Sequence, residues 1–281
     1  MDKIKFIKAF AARSDAWNRQ TIIPALVSCL TSEEASHALQ SMSLEDPMVR
    51  RAFLKKVIRD IRHEGCQPCH AILVESLISS FQSLPIEKRQ TCGYVLGSLH
   101  DALPPDMQQT ITRFLITSPY VAMRDRGHKI LRRNWTSEYA PAISRSWATH
   151  RDYYCALLIL EHFPDSFLQD NLRSLERVLR GKEGLPTLYI RVAASKPDVL
   201  RRLEREDGVT FAYVTFKLGR SLTPQQASSI FGEYKFDKRI GLFIWCLGRM
   251  NLWSSLRTIA VDAERLNKEE SEYVRRKYGL E

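Results

Sequence analysis

The feature that most constrains this chain is the spacing of its apolar residues. They recur three and four positions apart almost from end to end, the period of a helix that buries one stripe. The alternation that marks a half-buried strand is hard to find. Helices are expected over 2–12, 21–30, 32–43, 47–63, 69–82, 86–102, 105–117, 119–133, 136–148, 151–162, 165–181, 185–195, 197–206, 208–219, 224–232, 236–249, 252–263 and 268–278. Short connections force consecutive helices to lie antiparallel and adjacent. The fold class expected is therefore all-α.

Several of these helices open alike. Asp46-Pro47, Ser118-Pro119 and Thr223-Pro224 each set a side-chain oxygen before a proline. The oxygen caps free backbone N–H groups, and a proline at the first helical position forfeits no hydrogen bond. The three starts lie 72 and 105 residues apart, two and three steps of about 35 residues, within the range of helical-pair repeats. Pro85 stands near the intermediate step.

Asp46-Pro47-Met48-Val49-Arg50-Arg51-Ala52 resembles the HEAT-repeat pattern, in which an Asp precedes Val-Arg and a small residue. Met123-Arg124 and Gly127 to Leu131 are similar, with Phe53 and Val57, or Gly127 and Leu131, three and seven places after the Arg. The resemblance covers these two repeats well and the rest faintly. It implies an α-α superhelix, a HEAT-like solenoid of roughly seven to nine antiparallel helix pairs, forming a single elongated domain over 1–281. Gly181-Lys182-Glu183-Gly184 reads as its internal hinge. On helix 47–63, Val49, Phe53, Val57 and Ile61 fall on one side, with Arg50 inside that sector. In HEAT proteins such an Arg pairs with an Asp in a neighbouring turn, which implies structural roles for Arg50 and Arg124, since a buried charge needs a partner.

Charge narrows the choice of partner. The formal net charge is +10, with 19 Lys/Arg against 14 Asp/Glu in residues 1–140 and 23 against 18 in the remainder, so no basic tail stands apart. Such an excess favours polyanions, although a solubilising surface charge explains it equally well. Arg51, Lys55, Arg59 and Arg62 share one sector of helix 47–63, opposite its apolar side. Arg126, Lys129, Arg132 and Arg133 similarly share one side of helix 119–133. If these helices correspond in successive repeats, the two stripes form a track for phosphates, and Arg outnumbers Lys about two to one, as bidentate phosphate contacts favour. The competing reading is a solvated charged face.

Catalytic signals are sparse. Cys66-Gln67-Pro68-Cys69-His70 has the spacing of a haem-attachment motif. It lacks an export signal, a second ligand pair for zinc and the βαβ setting of a redox pair, so ordinary cysteines at a helix start are expected. Cys29, Cys92, Cys155 and Cys246 lie in apolar helical stretches and are expected as buried reduced thiols. His100-Asp101 reads as a cap or solvated pair near a helix end. No phosphate-binding glycine loop, Gly-x-Ser-x-Gly elbow or His-Glu-x-x-His helix occurs. HEAT-like alkyl-base DNA glycosylases are basic solenoids of similar size whose site sets an Asp near paired tryptophans. Here no Trp directly precedes an Asp, and Asp152, five residues after Trp147, is the nearest substitute.

The expectation is thus a non-enzymatic interaction scaffold for a protein partner, with no cofactor, no metal and no identified small-molecule substrate. The alternative is a nucleic-acid binder through the basic track, with or without glycosylase chemistry. Met1 to Phe10 alternates Lys with apolar residues and reads as an amphipathic helix, not a secretory signal. The longest apolar run, Gly241 to Leu247, falls far short of the roughly 20 residues that span a bilayer. No membrane insertion and a cytoplasmic location are expected.

Overall fold

The computed structural model describes residues 2–41 and 45–259. The described chain is all-helical, with no strand among the described residues. The helices are α1 (Lys3–Arg13), α2 (Ala16–Ser28), α3 (Ser32–Gln40), α4 (Pro47–Glu64), α5 (Pro68–Ser80), α6 (Ile86–Leu99), α7 (Pro105–Ile116), α8 (Val121–Arg133), α9 (Ala140–His150), α10 (Tyr153–His162), α11 (Asp165–Asp170), α12 (Leu172–Leu179), α13 (Leu185–Ala193), α14 (Pro197–Glu206), α15 (Gly208–Lys217), α16 (Pro224–Tyr234) and α17 (Ile240–Arg249). Residues 253–259 are helical as well. The helix expected over 268–278 lies outside the described residues, as does the end of the one expected over 252–263.

The caps behave largely as the sequence suggests. Asp46 accepts from the Met48 and Val49 N–H groups, and Thr223 forms a reciprocal capping box with Gln226. Ser118-Pro119 does not open α8 directly. The Ser118 hydroxyl accepts from the Tyr120 N–H at 3.3 Å, and the helix begins two residues after the proline. Helix α2 starts five residues earlier than apolar spacing predicts, because Asp15 caps it by accepting from the Asn18 N–H and its first turn buries no apolar residue. The helix expected over 165–181 is two short ones. At Asn171 the side-chain amide donates to the Phe167 carbonyl, the local competition that makes Asn a helix interrupter.

The chain forms two compact units, residues 1–159 and 160–281. In the first, α2, α4, α6 and α8 make one row, each touching the next, and α3, α5, α7 and α9 make a second. The interior between rows is the continuous apolar cluster that includes Ile23, Phe53, Val57, Leu77, Leu96, Ile111 and Leu115. One helix pair of this size cannot cover its own apolar stripe, and stacking does so. Helix α8 seats closely against α7 because it carries Gly127, where a Cβ would stand 2.7 Å from Ile116 Cγ2 and 3.0 Å from the Ile116 backbone nitrogen. In the second unit, α11, α13, α15 and α17 are in sequential contact, around Leu168, Leu188, Val192, Val209, Val214 and Phe243. The Gly181–Gly184 segment is a turn inside this unit, with positive φ at both glycines (+69° and +99°).

An arginine ladder binds the first row together. Arg19, Arg50, Arg89 and Arg124 each stand four residues past the cap of α2, α4, α6 and α8 (Asp15, Asp46, Pro85 and Tyr120). Each donates back to a carbonyl of the loop before its own helix: Ser14, Glu45, Leu84 and Ser118. Each also donates forward, to Asp46, Thr91, the Tyr120 hydroxyl and Asp152 respectively. The Arg124–Asp152 contact is bidentate, at 2.5 and 3.2 Å, and only 9% of the Asp152 side chain is exposed. One guanidinium thus satisfies loop carbonyls and cross-links successive helices.

Candidate functional site: a basic face on the first unit

Arg50 and Arg124 are consumed by the scaffold. Arg124 takes the Asp that the repeat pattern implies, whereas Arg50 takes the Thr91 hydroxyl at 2.9 Å and the Glu45 carbonyl at 2.8 Å. Arg19 and Arg89 were not singled out by sequence reasoning. The usable signal was an Arg at the fourth helical position after a cap or proline.

With those arginines set aside, α4 presents Arg51, Lys55, Arg59 and Arg62 to solvent, opposite its buried Val49, Phe53, Val57 and Ile61. The acid within this helix does not cancel them. Asp60 is buried and held by Lys56 at 2.5 Å and the Ser32 hydroxyl at 2.7 Å, leaving Arg59 with a marginal 4.0 Å approach to it. Glu64 is exposed and accepts from the Gln67 amide at 2.9 Å. Helix α4 therefore carries four surface cations on one side and an internally neutralised carboxylate on the other.

Helix α8 is arranged differently. Arg126 leans onto α6, donating to the Tyr94 carbonyl at 3.0 Å with its guanidinium 4.8 Å from the Tyr94 ring centroid. Its Cδ lies where a Cβ on Gly97 would be 2.2 Å away, so Gly97 makes the room it occupies. Burial lowers its pKa below the ordinary arginine value. Lys129 is exposed, with its ammonium 4.3 Å from the Tyr154 ring. Arg132 and Arg133 are exposed in the last turn, where cations also suit the helix dipole.

The ladder sets the register between helices. Lys55, Tyr94 and Lys129 each follow their ladder Arg by five residues, and Arg59, Ser98 and Arg133 by nine. Helix α6 lies between α4 and α8, and its Gln90, Tyr94 and Ser98 occupy the corresponding register, with the Arg126 guanidinium lying over the Tyr94 ring.

The remaining sequence candidates take structural parts. His70 is buried, and its Nδ1 accepts from the Gln67 N–H at 3.0 Å, capping α5. Cys66 and Cys69 are free thiols, and burial raises the Cys66 pKa. Cys92, Cys155 and Cys246 are buried as expected, with pKa values pushed up to about 12, about 12 and about 11 by desolvation. Cys29 corrects that expectation, since it caps the exposed end of α2. Trp147 is core, and the Asp152 carboxylate is taken by Arg124.

His100-Asp101 also differs from the expected solvated pair. His100 is buried, its Nδ1 2.7 Å from Asp101 Oδ1 and its Nε2 3.1 Å from Thr112 Oγ1. The chain carboxylate–imidazole–hydroxyl has the connectivity of a nucleophile relay and borders a polar cleft of about 340 Å³ with Asn134, Glu138 and Tyr139. Thr112 lines this cleft from the middle of α7 but is only 1% exposed. The relay ties α7 to the turn before it. No family model matches the chain, and neither a curated protein nor a solved structure matches it. No helix of the described residues is long and apolar enough to cross a membrane.

Proposed function

We propose that this protein is a non-enzymatic interaction scaffold of the HEAT-like helical-repeat kind, an α-α superhelix of roughly seven to nine antiparallel helix pairs. Its exposed basic face on α4 receives an acidic surface of a protein partner. The carrying observation is that Arg51, Lys55, Arg59 and Arg62 stand together in solvent while Asp60 of the same helix is turned inward and already bound by Lys56. Surface cations that outnumber the local acids speed the encounter with an anionic partner and select for it. The two-row packing and the arginine ladder support the repeat reading, because they supply a rigid support on which such a face can be held.

The test is affinity purification from the native cell with the wild-type chain and with Arg51→Glu/Lys55→Glu/Arg59→Glu, followed by crosslinking mass spectrometry. A stoichiometric partner crosslinked to α4 and lost from the variant, with an unchanged melting temperature, is expected. A partner recovered equally by both proteins refutes the assignment.

The second reading is nucleic acid. Lys55 and Arg59 follow Arg51 at four-residue steps, a rise of about 6 Å each, so successive cations can meet successive phosphates. A mobility shift with duplex DNA that weakens steeply with salt and disappears in the same variant would move the assignment there. Incubation with alkylated DNA then separates a passive binder from a glycosylase, for which Asp152, engaged with Arg124, offers no free carboxylate.

A further inference from the structure

Helix α17 has more apolar surface than its packing uses. Phe243, Cys246 and Leu247 fill the interior of the second unit. Yet Leu242 (40%), Ile244 (39%) and Trp245 (46%) remain exposed on the same helix. A surface helix normally gives polar residues to its exposed positions, so an indole left in water there asks for an occupant.

The neighbours of Trp245 state what kind. Phe216 of α15 stands against it, centroids 5.2 Å apart and planes at 87°. The Arg249 guanidinium lies 6.0 Å from the indole centroid, and the Lys217 ammonium lies 5.8 Å from the Phe216 ring. The contiguous run Lys217–Phe216–Trp245–Arg249 is two aromatic plates flanked by two cations. A second aromatic–cation pair, Lys235 beside the 79%-exposed Phe236, belongs to the connection before α17. Arg249 sits at the outer limit of cation–π distance on a flexible stem, so its guanidinium can leave the ring for a better anion.

The geometry points to a stacking platform for a single-stranded polynucleotide on α15 and α17, with an unpaired base lying on Trp245 and flanking phosphates held by Lys217 and Arg249. The nucleotide is the ligand that offers a flat π-face and an anion one sugar apart, matching plates bordered by cations. Trp245 is 46% exposed with Phe216 half-buried beside it, so the indole is the accessible plate. The inference uses none of the α4 residues and stands or falls separately from the function proposed above.

The test uses the full chain with fluorescein-labelled dT12 and U12 in anisotropy titrations at about 0.1 M salt, together with intrinsic tryptophan fluorescence. Stacking on an aromatic is worth about 1–3 kcal/mol per base, so Trp245→Ala should weaken binding by about tenfold or more, while Trp245→Phe keeps most of the affinity. Lys217→Glu/Arg249→Glu should weaken it further and flatten its salt dependence. Oligonucleotide should quench wild-type fluorescence more than that of Trp245→Phe, and Arg51→Glu/Lys55→Glu/Arg59→Glu should leave that quenching intact. Melting temperatures within a few degrees of wild type keep the comparison clean, and Trp245→Phe preserves the reading if the alanine variant fails to fold. The proposal is overturned by equal affinity of wild type and Trp245→Ala, or by no binding of either oligonucleotide. Quenching by phosphatidylserine vesicles but not by oligonucleotide would make the patch a lipid-surface site instead.

Discussion

Replacing His128 with leucine should remove a large part of this protein's sensitivity to mild acid. His128 lies on α8, fully buried, and neither ring nitrogen has a hydrogen-bond partner. Burial pushes its pKa down from 6.5 to about 4; Asp152 favours the charged form, and Arg124 and His150 oppose it. Between those values the unfolded chain binds the proton and the folded chain does not. Stability is therefore complete above about pH 6.5 and is lost as pH falls towards 4. With these two pKa values, protonating the unfolded state costs about 2 kcal/mol between pH 7.5 and pH 5. Leucine has a similar volume and no orphaned nitrogen, so the variant should be as stable as wild type at pH 7.5 or more so. Equilibrium urea unfolding of both proteins at the two pH values measures the difference. His70, whose pKa burial also lowers, is present in both and cancels. The variant's advantage should grow by about 2 kcal/mol on moving to pH 5. An advantage that stays constant within about 0.5 kcal/mol refutes the argument.

Arg124→Ala should cost about 3–5 kcal/mol in a denaturant titration, because it strands the Asp152 carboxylate and the Ser118 carbonyl in the interior. A loss below about 1 kcal/mol would mean that water replaces the guanidinium. Gly127→Ala should lower the melting temperature, since about 1–3 kcal/mol of overpacking against Ile116 outweighs the helix-propensity gain. Gly232→Ala, in α16 with nothing near its Cβ position, should raise stability by about 0.5–1 kcal/mol; melts moving the other way would sink either argument. In the folded protein a maleimide should label Cys29 quickly and Cys92, Cys155 and Cys246 only after unfolding, as read by mass spectrometry of the modified peptides. Rapid native labelling at Cys155 would contradict its burial.

The all-α class, most helix positions and the core faces were legible in the sequence, because the helical period and the proline caps are local signals. Phe53, Val57 and Leu131 are buried where the spacing puts them. Local signals failed where local chemistry was unusual: the first turn of α2 with no buried residue, the Asn171 break and the exposed end holding Cys29. The four cations of α4 could be read from one helix, since a single periodicity decides which side they take. The fate of Arg126 could not. It depends on Gly97 and Tyr94 some thirty residues earlier, which are neighbours only once α6 and α8 pack. The same holds for Asp60 turning inward to Lys56 and Ser32, and for Trp245 meeting Phe216. Helix period is a property of adjacent residues and survives without tertiary contacts. Which charge is spent on internal contacts and which faces solvent is settled by residues far apart in the chain, and so only by the folded packing.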